Sequence, residues 1–255
     1  MDYKTIIVDE KDMIGKITLN VPPLNILNIE MMKELNQALK DFQKKNLKVL
    51  ILNSNGKAFS AGVDVSDHTK DKVKEMIEVF HEIFTNLHKI NAPTVAIVNG
   101  AALGGGCEVA TFCDIVIASE KSKFGQPEIK VGVFPPVAAA IFPKLMWSKK
   151  ALELLITGDV IRANDAKEFG LVNYILPVES FDEQAEKLVT EKLASNSAVV
   201  LQLTKRAFLE GATQNYSESI KKIEDIYLNE LMNTNDANEG LSAFLEKRQP
   251  VWKNE

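Results

Sequence analysis

The stretch Asn99-Gly-Ala-Ala-Leu-Gly-Gly-Gly-Cys-Glu-Val-Ala-Thr-Phe-Cys-Asp-Ile-Val-Ile-Ala-Ser119 decides the fold. It follows a β-prone run, Thr94 to Val98, that Pro93 opens. Three glycines, Gly104 to Gly106, then start a short helix, and Asp114 to Ala118 is again β-branched. Working outward, the same helix-then-strand order occurs twice upstream. Met32, Leu35, Leu39 and Phe42 recur at helical spacing from Ile29, and Val49 to Leu52 is an apolar run too short for a helix. Val73, Met76, Ile77, Phe80, Phe84 and Leu87 then mark one face of a long helix before Thr94. Three such units in succession predict an α/β protein with a parallel sheet covered by helices. Ahead of them, Thr5 to Val8 and Ile14 to Leu19 flank a charged turn and predict an antiparallel pair, and VPPLNILN (21–28) forces a loop. Beyond Pro143 only Val172 to Leu176 is strand-like, and segments from Phe181, Ala198, Ser217 and Asn235 draw as amphipathic helices. A helical tail with much apolar surface and little core of its own is expected to pack on a neighbouring subunit.

At 255 residues the chain fits one large domain or two small ones and can bury roughly three quarters of its surface without disulfides or metal. Lys and Arg number 30 against 35 Asp and Glu, a net charge of −5, so no nucleic-acid partner is expected. Cys107 and Cys113 lie in apolar segments at a spacing that suits neither a disulfide framework nor a paired C-x-x-C site, which favours a reducing cytoplasm. The first residues mix charges without an apolar stretch, and Pro135-Pro136 interrupts the longest apolar run, Val131 to Phe142. Neither secretion nor membrane insertion is therefore expected.

Three segments carry candidate chemistry. Lys57-Ala-Phe-Ser-Ala-Gly-Val-Asp64 follows a predicted strand with small residues that let backbone approach a ligand. The glycine turn exposes free N–H groups at a helix entry, which suits an oxyanion or anion. It is not a phosphate loop: Gly106-Cys107 stands where Lys-Ser/Thr would be, and no G-x-G-x-x-G occurs. The third segment, Phe124 to Pro136, places Glu128 in an apolar stretch punctuated by Gly and Pro. A helix out and a strand back would bring Glu128 to the same sheet edge as Glu108, where burial and mutual repulsion raise at least one pKa for acid and base work. His81 and His88 read as structural residues beside the long helix's apolar face. His68 with Asp64 and Asp67 reads as a solvated loop without a metal motif. No Ser-His-Asp or Cys-His set supports nucleophilic catalysis.

KAFSAGVD (57–64), NGAALGGGCEVATFCDIVIAS (99–119), KFGQPEIKVGVFPP (123–136) and FLEKRQPVWK (244–253) together resemble, in order, the crotonase or enoyl-CoA hydratase/isomerase superfamily. The resemblance implies a spiral core of ββα turns (residues 1–195) and a C-terminal helical trimerisation region (196–255). It implies trimers or hexamers, and an acyl-CoA thioester substrate handled without metal or other cofactor. By the same resemblance the amides of Val63 and Gly105 form an oxyanion hole, each donor contributing roughly 3–4 kcal/mol in the transition state. Ala61, Gly62, Asp64, Gly104, Pro135 and Pro136 are expected to contact the substrate. Glu108 and Glu128 match both glutamates of the family's hydratases, with Glu108 for the water and Glu128 for the proton; the alternatives are a double-bond isomerase and a catalytically silent CoA- or RNA-binding relative. Lys57 and Lys247 match contacts to CoA phosphates, the second from a neighbouring subunit. Two features depart from the pattern. Pro135 and Pro136 replace a Gly-rich wall, and Val21 stands where many relatives have Arg. PPLNIL (22–27) and GVFPPVAA (132–139) look like segments of cyclohexa-1,5-diene-1-carbonyl-CoA hydratases, which implies a cyclic dienoyl-CoA and aromatic degradation as its setting.

Overall fold

The computed structural model describes residues 3–213, 222 and 224–255. β1 (Ile6–Lys11) pairs antiparallel with β2 (Ile14–Leu19), as the charged turn between them predicts. Asn28 caps α1 (Ile29–Phe42), its side chain accepting from Met31 N at 2.9 Å. β3 (Val49–Ser54), β5 (Thr94–Val98), β7 (Ile115–Ser119) and β10 (Tyr174–Leu176) then continue a six-stranded sheet in the order β1-β2-β3-β5-β7-β10, parallel from β2 onward.

Strand alternation sorts the core onto two faces. Leu50 and Leu52, Ala96 and Val98, and Val116 and Ala118 face α1 and α2 (Val73–His88), where Met32, Leu35, Leu39, Phe80, Phe84 and Leu87 close the layer. Val49, Ile51, Val95 and Ile117 face the other way, onto Phe181, Ala185 and Val189 of α7 (Phe181–Val189). Each fully buried aliphatic or aromatic side chain contributes about 1.5–3 kcal/mol. A strand covered on both sides reads as a continuous apolar run, which is why these strands were short and unbroken in the sequence.

A second sheet was not anticipated. β4 (Ala58–Ser60), β6 (Ala101–Leu103) and β8 (Lys123–Gly125) run parallel, and β9 (Val160–Arg162) pairs antiparallel with β8. Each short strand follows a long one, so the chain repeats strand, strand, helix: β3-β4-α2, then β5-β6-α3 (Gly105–Phe112), then β7-β8 leading to α4 (Pro136–Leu145). This is the expected spiral of ββα turns. Three-residue strands are too short to show periodicity, and β9 lies in the part where only Val172 to Leu176 looked strand-like.

α5 (Ser148–Thr157) and α6 (Ala163–Glu168) follow, and α8 (Ala198–Thr213) and α9 (Asn235–Glu246) supply two of the anticipated C-terminal helices. The helix expected from Ser217 begins outside the described residues. Lys205 of α8 ties this part to the core. Its Nζ lies 2.7 Å from Asp114 Oδ2, which also accepts from the Thr94 amide and hydroxyl at 2.7 and 2.8 Å. Among the described residues no helix is long and apolar enough to cross a membrane.

Candidate active site

The second sheet sets the two glycine-containing turns side by side. Ala61 to Asp64 leaves β4, and Gly104 leaves β6, its parallel neighbour. Gly104 has φ +51°, in the left-handed region, and turns the chain straight into α3. A Cβ on Gly105 would lie 2.7 Å from Val63 Cγ2 and 3.0 Å from Phe80 Cζ, so only glycine permits this approach. Val63 and Gly105 are thereby neighbours. Leu27 N–H donates to Gly62 C=O (2.9 Å) and Asp64 N–H to Leu27 C=O (3.1 Å), which leaves the Val63 amide between them out of that bridge. Gly105 is the first residue of α3, and a first-turn amide has no intrahelical acceptor.

Beside these turns opens a cavity of about 700 Å³. Its wall includes Ala61, Gly62, Val63, Gly104, Gly105, Glu108, Glu128, Pro135 and Pro136, which brings nine of the sequence-derived site residues together. Lys57, Asp64 and Lys247 are not on that wall. Lys57 is exposed at the head of β4, Lys247 is exposed just after α9, and Asp64 caps a 3-10 turn (Val65–His68) by accepting from Ser66 N at 2.8 Å.

Glu108, in the first turn of α3, is 1% exposed. Its Oε1 accepts from Ala138 N at 2.6 Å. Ala138 lies in the first turn of α4, where Pro135 is the cap and Pro136 the first helical residue, so the amides of Val137 and Ala138 are the first that need an acceptor. The carboxyl of Glu108 thus terminates α4 from outside. Burial pushes its pKa up to about 8; the amide of Ala138 opposes the shift and the charge of Glu128 adds to it. Glu128 sits in a 3-10 turn (Pro127–Val131), close over Gly104: a Cβ there would lie 2.5 Å from Glu128 Oε1. Its Oε2 is shut from water without a hydrogen-bond partner among the described residues, and burial raises its pKa as well. Two adjacent, desolvated carboxyls resist ionising together, so the pair retains a proton at neutral pH.

Two further residues stand on the wall without a functional signal in their local sequence. His68 and His81 both line the cavity with Val65, Val73, Met76, Ile77 and Phe80. His81 continues the stripe of Val73, Met76, Ile77 and Phe80 at positions i, i+3, i+4, i+7 and i+8, so the periodicity already placed it on that face. The segment around His68 is not the solvated loop expected. Asp67 is 6% exposed, with Oδ2 accepting from Ile29 N and Oδ1 paired to Lys72 Nζ, each at 3.2 Å. His88 is exposed at the end of α2.

Paired buried carboxyls on one cavity make a site suited to moving protons. The sequence pattern of the enoyl-CoA hydratase/isomerase family fits residues 9–255, and the chain belongs to that family. It is 37% identical over 260 residues to a probable mitochondrial enoyl-CoA hydratase of Dictyostelium discoideum, covering 99% of this chain and 92% of that one. It is 36% identical over 261 residues to a mitochondrial enoyl-CoA hydratase of Pongo abelii, covering 100% and 89%. The crystal structure of an enoyl-CoA hydratase from Bacillus anthracis superposes with a TM-score of 0.92 at 32% identity, over 99% of this chain and 100% of that one.

Proposed function

We propose that this protein reversibly adds water across a double bond conjugated to a CoA thioester. Family membership and hydratase relatives make it a hydro-lyase. The observation that carries the mechanism is the pair of buried carboxyls, Glu108 and Glu128, on one cavity beside two adjoining turns with free amides. The amides of Val63 and Gly105 hold the thioester oxygen as negative charge develops on it. Glu108, fixed through Oε1 by Ala138, hands the pair's one proton to Glu128 and then steers and deprotonates the attacking water with its other oxygen. Glu128 passes a proton to the α-carbon. Retaining one proton between them provides an acid and a base at once.

The reading calls for no metal or separate cofactor, since coenzyme A enters as part of the substrate. Lys57 is proposed to meet its phosphates at the rim, with Lys247 of a neighbouring subunit. The assembly is a trimer or hexamer in this reading, with residues 196–255 as the assembling region. Exposed apolar side chains support it: Leu152 and Ile156 on α5, and Phe208 and Leu245 on the C-terminal helices. The setting proposed is the cytoplasm.

The test is hydration of crotonyl-CoA and of cyclohexa-1,5-diene-1-carbonyl-CoA, the ring-shaped candidate supported by segments 22–27 and 132–139. Glu108→Gln and Glu128→Gln serve as controls. Full activity in both variants removes the paired-carboxylate mechanism. A shifted double bond without gain of oxygen replaces hydration with isomerisation.

A further inference from the structure

The wall formed by α2 and the 3-10 turn before it is apolar except at two rings. Val65, Val73, Ile77 and Phe80 offer only carbon and Met76 a weakly accepting thioether, while His68 and His81 break the apolar surface. Neither imidazole serves the mechanism above. The Nδ1 of His68 lies 3.0 Å from the carbonyl oxygen of Asp64. A carbonyl can only accept, so Nδ1 carries the hydrogen and the neutral ring keeps a lone pair on Nε2. His81 is the complementary case. Its Nε2 is sealed from water and has no partner among the described residues. A wall meant for a plain hydrocarbon gains nothing from an imidazole with a free acceptor, and the His81 Nε2, turned away from the open cavity, is a buried cost that a partner would remove.

We infer that the acyl group of the substrate carries a hydroxyl remote from the thioester, read by His68 and His81. A hydroxyl both donates and accepts. Its proton goes to the lone pair of His68 Nε2, and its oxygen accepts from the N–H of His81 after the ring turns about its Cβ–Cγ bond to face the ligand. Such a site penalises the hydrocarbon analogue, because that ligand leaves both nitrogens against carbon. The inference rests on the cavity being an enoyl-CoA site, replaces the plain cyclohexadiene ring, which has no hydroxyl to offer, as the preferred acyl group, and makes His68 and His81 specificity determinants outside the proton transfer itself.

The experiment compares 5-hydroxypent-2-enoyl-CoA with pent-2-enoyl-CoA, using kcat/KM for hydration and calorimetric binding of each ester. The expected result is a preference of about tenfold or more for the hydroxylated ester. His68→Leu and His81→Leu should each bring that ratio to about one, and His68→Gln should restore part of it. Because the readout is a ratio on one preparation, partial misfolding cancels. Equal or better use of the plain ester, or a ratio unmoved in both leucine variants, overturns the inference. So does stronger selection of glutaconyl-CoA, which would assign a carboxylate instead. If neither ester turns over yet the hydroxylated one still binds more tightly, the tail reading stands and the hydration reading falls. Equal binding without turnover sinks both.

Discussion

The two segments that carry the carboxyls are built differently. Residues 104–109, at the entry of α3, are buried without exception and locked by contacts that tolerate no added carbon at Gly105. The Pro127–Pro136 segment delivers Glu128 to the same cavity, yet Val131 is 64% and Phe134 70% exposed. One wall is preset by the sheet and the other leans over it from outside. The contrast separates two jobs: holding charge where a transition state needs it demands rigid donors, whereas admitting an acyl group demands a wall that can adapt.

The strongest way to break this contrast is to neutralise each carboxyl. Glu108→Gln and Glu128→Gln should each lower kcat by about 10²–10⁴-fold, the usual worth of a positioned acid or base, in a steady-state hydration assay. If only one variant loses activity, the two segments do not share the proton work. Next is Gly105→Ala, whose methyl must displace Val63 or Phe80. It should cost about 10²-fold or more in kcat through the lost amide position, and about 1–3 kcal/mol in denaturant unfolding. An active, fully stable alanine variant would show that the turn is not preset.

A third prediction concerns pH. The native Glu108 carboxyl holds its proton to about pH 8, because burial outweighs the Ala138 hydrogen bond, while the ordinary value is 4.5. Between those values the unfolded chain has released the proton and the native protein has not. Stability therefore falls as pH rises through that window and levels off above it. Glu108→Gln cannot ionise, so its stability relative to wild type should grow between pH 4.5 and 8, reaching on the order of 5 kcal/mol. A difference independent of pH in paired melts would mean that the wild-type carboxyl ionises freely. The smallest effect sharpens the other side of the comparison. Phe134→Ala, at an exposed position, should leave stability within about 0.5 kcal/mol and alter KM more than kcat.

Much of this was legible in the sequence because long elements announce themselves. Thr94 to Val98 is a strand over those very residues, and the apolar faces of α1 and α2 carry the stripes read from their spacing. That Glu108 and Glu128 would meet on one cavity was legible because a helix out and a strand back return the chain to the same sheet edge. The second sheet was not, since Ala58–Ser60 and Ala101–Leu103 are too short to show a period and owe their pairing to the larger sheet beside them. His68 escaped for a different reason. Its meaning depends on Asp67 folding inward to the start of α1, a contact 38 residues distant that no local pattern encodes.

The bond from Ala138 N to Glu108 Oε1 joins a helix end to a buried carboxyl of the cavity. Proton affinity and wall shape are therefore inherited as one trait. A lineage that shifts where α4 begins, to admit a bulkier acyl group, retunes its own acidity in the same stroke. Diversification of substrate range here has to pass through changes that touch both at once.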